Sequence, residues 1–317
     1  MKKYVCQTDS THVFDQPTQD GYCPKCPYLE GILVEQEMET TSAHEDNHQD
    51  SDNVDMNRRS ATDAPEVGLC VILMDASSSM TDPAFNGSPL TRMSLVANSA
   101  ASGIFDLQRM QNNPNAYVAA FKFDDRVELM FMDTVANIIK KYNGEIRLFA
   151  AYIYDELSKM QQGTDINKAL NQAYDFVSKF LNKQLPDFIS KDYVPMRQRI
   201  LKYNLESVSI ANVRVLIYTD GMQYDAHGNR ALNPNPFKTH LLPDVNHDVV
   251  VGAFFGQADD EGSSQLQTLL SRCPIHDELQ FFLFDKPAQI GSLKYLFRMA
   301  SGASGFCPKC LQKQMQR

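Results

Sequence analysis

The sequence predicts an α/β fold, a doubly wound and mostly parallel sheet with helices on both faces. Three observations carry that expectation. The runs VGLCVILMD (67–75) and NVRVLIYTD (212–220) are continuously apolar, where a strand with one wet face would alternate. Amphipathic stretches with helical spacing separate these runs. The alternation is interrupted by one hairpin, as in open sheets carrying an antiparallel edge strand.

The elements follow in order. After the strand at 67–75, residues 90–111 read as a helix in which Leu95, Ile104, Leu107 and Met110 share a face. AYVAAFKF (116–123) and RVELMFM (126–132) read as strands joined at the turn residues Asp124 and Asp125. Helices are expected over 149–162 and 165–183, the second opening behind Gly163-Thr164-Asp165. The strand 212–220 again ends in Asp. VVVGAFF (249–255) and LQFFLF (279–284) are strands, and QLQTLLSR (265–272) and LKYLFRMA (293–300) are helices. Stretches 184–210 and 221–248 fit no regular element and are expected to be insertions or long loops.

Outside this region the composition changes. Residues 1–34 carry turn signals and a C-x-x-C knuckle. Residues 35–66 carry ten acidic and two basic residues and no aromatic one. Such a segment buries too little apolar surface to offset its ordering entropy, so a flexible acidic linker is expected. The organisation is therefore a metal-binding segment over 1–34, a linker over 35–66, one large domain over 67–302 and a tail over 303–317.

The chain of 317 residues has 30 basic and 39 acidic residues, a net charge of −9. That balance argues against nucleic-acid binding through a general basic surface. The N-terminus lacks the apolar core of a signal peptide, and no run approaches the ~20 apolar residues of a membrane span. The expected setting is cytoplasmic, and His276-Asp277-Glu278-Leu279, being internal, is no retention signal.

The chemistry gathers at the ends of the buried strands, where open parallel sheets place their binding groups. Asp75-Ala76-Ser77-Ser78-Ser79 puts a carboxylate and alternating hydroxyls on one turn. Gly163-Thr164-Asp165 offers a hydroxyl. Thr219-Asp220-Gly221 offers a carboxylate beside a glycine that permits close backbone approach. Serines after a strand also serve as helix caps, which is the competing reading of the first motif. There is no G-x-S-x-G elbow around Ser78, no P-loop, no G-x-G-x-x-G and no H-E-x-x-H.

D-x-S-x-S, then G-T-D before a helix, then T-D-G after an apolar strand resemble the metal-ion-dependent adhesion site of the von Willebrand factor A family. The likeness spans most of residues 67–302. It implies a von Willebrand factor A, Rossmann-like fold and one Mg²⁺ or Mn²⁺ held by Asp75, Ser77, Ser79, Thr164 and Asp220. By the same resemblance Ser77, Ser79 and, in one state, Thr164 bind directly, and the two aspartates act largely through water or hydrogen bonds. Mg²⁺ favours an octahedron of oxygens at about 2.0–2.1 Å and retains some waters. Two carboxylates only balance its charge, so it stays electrophilic and takes an acidic side chain of a partner protein. The chain also resembles stand-alone bacterial A-domain proteins, including the tellurium-resistance-type group, that accompany Ser/Thr kinases or chaperone-like ATPases.

Seven cysteines, four of them in two C-x-x-C pairs, point to metal before disulfides in a reducing setting. Cys6, His12, Cys23 and Cys26 make a plausible tetrahedral Zn²⁺ set in a zinc-ribbon-like segment too short for its own core. A second CPKC, at Cys307 and Cys310, offers an alternative in which the two knuckles share one Cys₄ site. Cys70 reads as a core residue and Cys273 as core or a loop thiol. In the linker, Glu39-Thr40-Thr41-Ser42 resembles sites that forkhead-associated domains read after phosphorylation, which suggests a kinase or phospho-reading partner; an ordinary solvated linker is the alternative.

These features lead to a non-enzymatic adaptor as the expected function. A metal-dependent hydrolase is the alternative, though the carboxylates for a second metal and an evident base are missing from the motifs. A nucleic-acid reader acting through the ribbon is the third reading, opposed by the net charge.

Overall fold

Continuously apolar runs are satisfied only in the middle of a covered sheet, and in the computed structural model of the chain they form one. The structure describes residues 2–6, 13–14, 33–37, 66–109, 116–160, 162–181, 209–239, 250–289, 291–293, 295–296 and 307–315. The chain divides into two units, Met1–Pro65 and Glu66–Arg317.

In the first unit β1 (Lys2–Cys6), β2 (Val13–Phe14) and β3 (Leu33–Glu37) form an antiparallel sheet in the order β2-β1-β3. Lys2 stands opposite Glu37, and Cys6 opposite Leu33. Strand β3 therefore runs into the start of the acidic segment, because residues 35–37 complete a ladder with β1.

The second unit holds β4 (Glu66–Asp75), β5 (Tyr117–Phe123), β6 (Val127–Thr134), β7 (Ser209–Thr219), β8 (Val250–Phe255) and β9 (Phe281–Phe284). Their order is β6-β5-β4-β7-β8-β9. Only β6 runs antiparallel to its neighbour, at the hairpin turned by Asp124 and Asp125. The doubly wound, mostly parallel α/β class is thus what the chain adopts.

Alternate residues of β4 feed two cores. Cys70, Ile72 and Met74 pack on one face with α1 (Arg92–Arg109), α2 (Val135–Lys141) and α3 (Ile146–Leu157). Ala97, Ala100 and Ala101 are buried on α1, and such small side chains let a helix axis lie close to the strands. Leu69, Val71 and Leu73 pack on the other face with α4 (Ile166–Leu181) and α6 (Glu261–Leu269), the short α5 (Pro236–Thr239) lying between these two in sequence. Helix α4 buries Ile166, Ala169, Leu170, Ala173, Phe176, Val177 and Phe180, a stripe at helical spacing. At about 1.5–3 kcal/mol for each large side chain, that face outweighs the marginal stability of an isolated helix. A last helix, α7 (Pro308–Met315), places Cys310 and Leu311 in the first core.

Several boundaries differ from expectation for local reasons. Helix α2 is seven residues long, too short to show a period; Thr134 caps it by accepting from Asn137 N at 3.3 Å. It is separated from α3 by Asn143 and Gly144, both at positive φ. Helix α3 therefore starts at Ile146 and stops at Leu157. Helix α6 begins behind Asp260, ahead of the expected 265, and ends where Ser271 N donates to Val250 O. Residues 221–239 are irregular yet stitched by side chains: Asn167 donates to Ala231 O and accepts from Asn233 N, and Asp225 accepts from the amides of His227 and Asn229. Among the described residues no helix is long and apolar enough to cross a membrane.

Candidate functional site

Whether oxygens from three loops meet is decided by strand order. Strand β4 continues to β5 on one side, and after the hairpin and an excursion through α2, α3 and α4 the chain returns to β7 on its other side. The carboxyl ends of β4 and β7 thus form a topological switch point, the crevice where such sheets bind ligands. Met74 pairs with Tyr218, so Asp75 and the Thr219-Asp220 pair emerge side by side.

Asp75 is fully buried at the end of β4. Its Oδ1 accepts from Ser77 N at 2.8 Å, and its Oδ2 accepts from Thr219 Oγ1 at 2.5 Å. Thr219 Oγ1 also accepts from Gly221 N at 3.1 Å, locking the β7 end in register with the β4 end. The chain then enters a 3₁₀ turn, Ser78–Thr81. Ser77 occupies the N-cap position of that turn, yet its hydroxyl makes no capping bond. It instead meets Ser79 Oγ at 3.1 Å, and Ser79 Oγ donates to Asp220 Oδ1 at 2.7 Å. The capping explanation of these serines therefore fails for Ser77.

Thr164 arrives from a third direction. Its N–H donates to Tyr224 O at 3.0 Å and its carbonyl accepts from Tyr224 N at 2.9 Å, an isolated bridge. Two glycines make the approach feasible. A Cβ on Gly163 would lie 2.6 Å from Tyr224 O, and one on Gly221 would lie 3.1 Å from Thr164 Oγ1. Thr164 Oγ1 is therefore held against the residue that follows Asp220. Buried Gln223 braces this corner, accepting from Asn167 N and donating to Asp165 Oδ1.

The electrostatics are those of a crowded anionic site. Burial holds the Asp75 carboxyl above the usual carboxylate range, and the charge of Asp220 adds to it, against hydrogen bonds from Thr219 and Ser77. Burial also raises Asp220, against the hydrogen bond from Ser79 and the Arg92 guanidinium. Arg92, at the start of α1, ion-pairs with Asp220 and reaches Ser79 O at 3.4 Å. Two buried carboxylates thus face one partly exposed cation.

This donor set fits a hard divalent cation. It is all oxygen, and the Ser77 and Ser79 hydroxyls are 3.1 Å apart, close to the roughly 3.0 Å edge of an octahedron with arms of about 2.1 Å, while Ser79 ties Asp220 beside them at 2.7 Å. Asp75, Ser77, Ser79 and Asp220 are brought together, with Thr164 alongside. Sequence reasoning passed over Thr219 and Arg92. The first was signalled by T-D-G itself; a lone arginine at a helix start carries no signal.

The other candidate ligands are placed as follows. Cys6 ends β1, while His12, Cys23 and Cys26 lie outside the described residues, as do Glu39, Thr40, Thr41 and Ser42. Cys70 is a buried core residue. Cys307 and Cys310, at the start of α7, stand beside Cys273 and His276.

No protein-family model and no curated protein matches the chain. Solved structures do. A von Willebrand factor type A protein from Catenulispora acidiphila is 15% identical, at a TM-score of 0.41 over 75% of this chain and 43% of the other. Proximal thread matrix protein 1 of the mussel byssus, with a zinc-occupied MIDAS motif, is 19% identical at a TM-score of 0.40, over 74% of this chain and 46% of the other. An aerotolerance-related membrane protein from Bacteroides fragilis is 15% identical at 0.36, over 78% and 98%. The chain spans less than half the length of the first two. At these values the functional reading rests on the geometry of the site itself.

Proposed function

We propose that the second unit is a metal-dependent protein-binding module that holds Mg²⁺ or Mn²⁺ on Asp75, Ser77, Ser79, Thr164 and Asp220. The observation that carries this reading is the convergence of three loops on one cluster of oxygens, in which the Ser77 hydroxyl is spared from capping. When bound, the cation supplies an electrophilic position for a carboxylate of the partner. The residues of the chain supply the rest. Thr219 fixes the Asp75 carboxylate, Ser79 fixes that of Asp220, and the Tyr224 bridge sets the height of Thr164. The exposed Tyr224 ring, with Arg230 stacked at 5.9 Å, forms a rim on which an acidic partner segment can rest.

The module is read as a non-enzymatic cytoplasmic adaptor. Ser78 is exposed at the turn, and no base among the described residues is hydrogen-bonded to it as a nucleophile's partner would be. A Ser/Thr kinase or phospho-reading domain acting on Thr40, Thr41 or Ser42 belongs to the same proposal, as does kinship with the tellurium-resistance-type proteins. The test is isothermal titration with Mg²⁺ and Mn²⁺, followed by partner capture from native lysate with the wild type and Asp75→Ala, each with Mg²⁺ and with EDTA. Metal binding confined to the wild type, with recovery of the same partner only when metal is present, supports the proposal. Equal recovery in all four conditions overturns it.

A further inference from the structure

The second candidate metal site lies away from the oxygen cluster. Cys273 and His276 sit on the loop between α6 and β9, spaced C-x-x-H, and Cys307 and Cys310 open α7, spaced C-x-x-C. Their four ligand atoms all lie within 4.8 Å of one another. The sulfurs of Cys307 and Cys310 are 3.6 Å apart, and those of Cys273 and Cys310 are 3.8 Å apart. His276 Nδ1 is 3.2 Å from Cys307 Sγ, 3.3 Å from Cys310 Sγ and 4.0 Å from Cys273 Sγ. A tetrahedral zinc with Zn–S of about 2.3 Å and Zn–N of about 2.0–2.1 Å sets S···S edges near 3.8 Å and S···N edges near 3.6 Å. The observed edges bracket those values. A disulfide would bring two sulfurs to about 2.05 Å, and these cysteines are free.

Both ligand-bearing segments are shaped as knuckles. Cys273 N donates to Glu278 O at 2.8 Å and Asp277 N to Cys273 O at 2.9 Å, with Asp277 at a φ of 51° and the loop closed by the Arg272–Leu279 bridge. On the other side Leu311 N donates to Cys307 O at 2.9 Å. A second tie spans the two knuckles, an ion pair of 2.6 Å between Lys309 Nζ and Glu278 Oε1. Three thiolates on Zn²⁺ leave a net negative charge, and Lys309 lies within the C-x-x-C pair.

We infer that Cys273, His276, Cys307 and Cys310 hold one structural Zn²⁺ that fastens α7 to the loop preceding β9. Four protein ligands close the coordination sphere, which marks a structural site and leaves no position for substrate. An eight-residue helix is too short to persist alone, so the metal supplies much of what keeps α7 in place. This ligand set is the alternative to the arrangement in which Cys307 and Cys310 face Cys23 and Cys26.

The test measures zinc per full-length chain by elemental analysis, after purification under reducing conditions, together with the visible spectrum of the Co²⁺-substituted protein. The wild type is expected to carry a zinc equivalent that disappears in Cys273→Ser and in Cys307→Ser. The same equivalent should persist in Cys23→Ser/Cys26→Ser and in Asp75→Ala, which excludes the N-terminal knuckle and the oxygen site as its location. His276→Cys, which restores four ligands, should keep it and shift the thiolate–Co²⁺ charge-transfer band, a readout independent of whether the serine variants fold. Retention of all zinc by Cys273→Ser overturns the inference. So does a zinc that leaves with Cys23 and Cys307 but not with Cys273, or a wild type that carries no zinc.

Discussion

Ser77 separates a binding role from a folding role more cleanly than any other residue of the site. Because its hydroxyl caps nothing and bonds to Ser79, Ser77→Ala should cost about 0.5–1.5 kcal/mol, one hydrogen bond, while weakening Mg²⁺ on the order of tenfold or more. Paired thermal denaturation and titration calorimetry would check both halves, and a large loss of stability with unchanged affinity would contradict them. Arg92 acts in the opposite sense. Its guanidinium occupies Asp220 and repels a divalent cation, so Arg92→Gln should tighten Mg²⁺ several-fold in the same calorimetric assay. Gly163 is a steric requirement. Alanine there would set a methyl 2.6 Å from Tyr224 O, and the expected cost is about 1–3 kcal/mol in denaturant unfolding together with weakened metal binding, since Thr164 is displaced. The oxygen positions are legible in the sequence because Asp75, Ser77, Ser79 and Asp220 follow strand ends at fixed spacing and Thr164 sits in the G-T-D that precedes α4. Cys273 and His276 are not, since C-P-I-H is one short spacing whose partners lie 31 and more residues further on.

At the scale of elements, β5, β6 and α3 are joined by a charge cluster that no periodicity announces. Lys122 on β5 is almost wholly buried and meets Glu156 of α3 at 3.0 Å and Glu128 of β6 at 3.2 Å. Burial opposes the charge on Glu156, but the hydrogen bonds from Lys159 and Lys122 outweigh it and hold the carboxyl below its usual range. A depressed folded-state value stabilises the fold above the unfolded glutamate pKa of about 4.3, and that stabilisation is lost as pH falls through the folded value. Glu156→Gln should therefore unfold earlier than the wild type at pH 7, and the gap between the two melting temperatures should narrow as the pH falls below about 4.3. A gap that stays constant with pH would rule out the ion pairs as its source. The long buried strands and α4 are readable because their patterns run for many residues. Helix α2 is not, because it is too short to show a period although it buries Val135, Ile138 and Ile139, and the segment 221–239 is not, because side-chain hydrogen bonds rather than repeating apolar positions hold it.

For the whole molecule, a ligand that binds only the folded chain raises stability by mass action, about 2.7 kcal/mol at a hundredfold excess over Kd. For a domain of this size that corresponds to a rise in Tm of about 5–10 °C with saturating Mg²⁺, measurable by differential scanning calorimetry and absent in Asp75→Ala. The fold class follows from the alternation of apolar runs and amphipathic stretches. Which strands become neighbours does not, since the excursion from β6 to β7 crosses residues without regular pattern. That adjacency has a further consequence. Asp75 follows Met74, the ladder partner of Tyr218, and Asp220 lies one residue past the end of β7, so both leave adjacent strand ends that the sheet holds about 4.8 Å apart. Thr164 hangs from a single two-bond bridge instead. The site is therefore a gauge with two fixed jaws and one sliding one. Tuning of its geometry, as distinct from its charge, acts through the Thr164–Tyr224 corner.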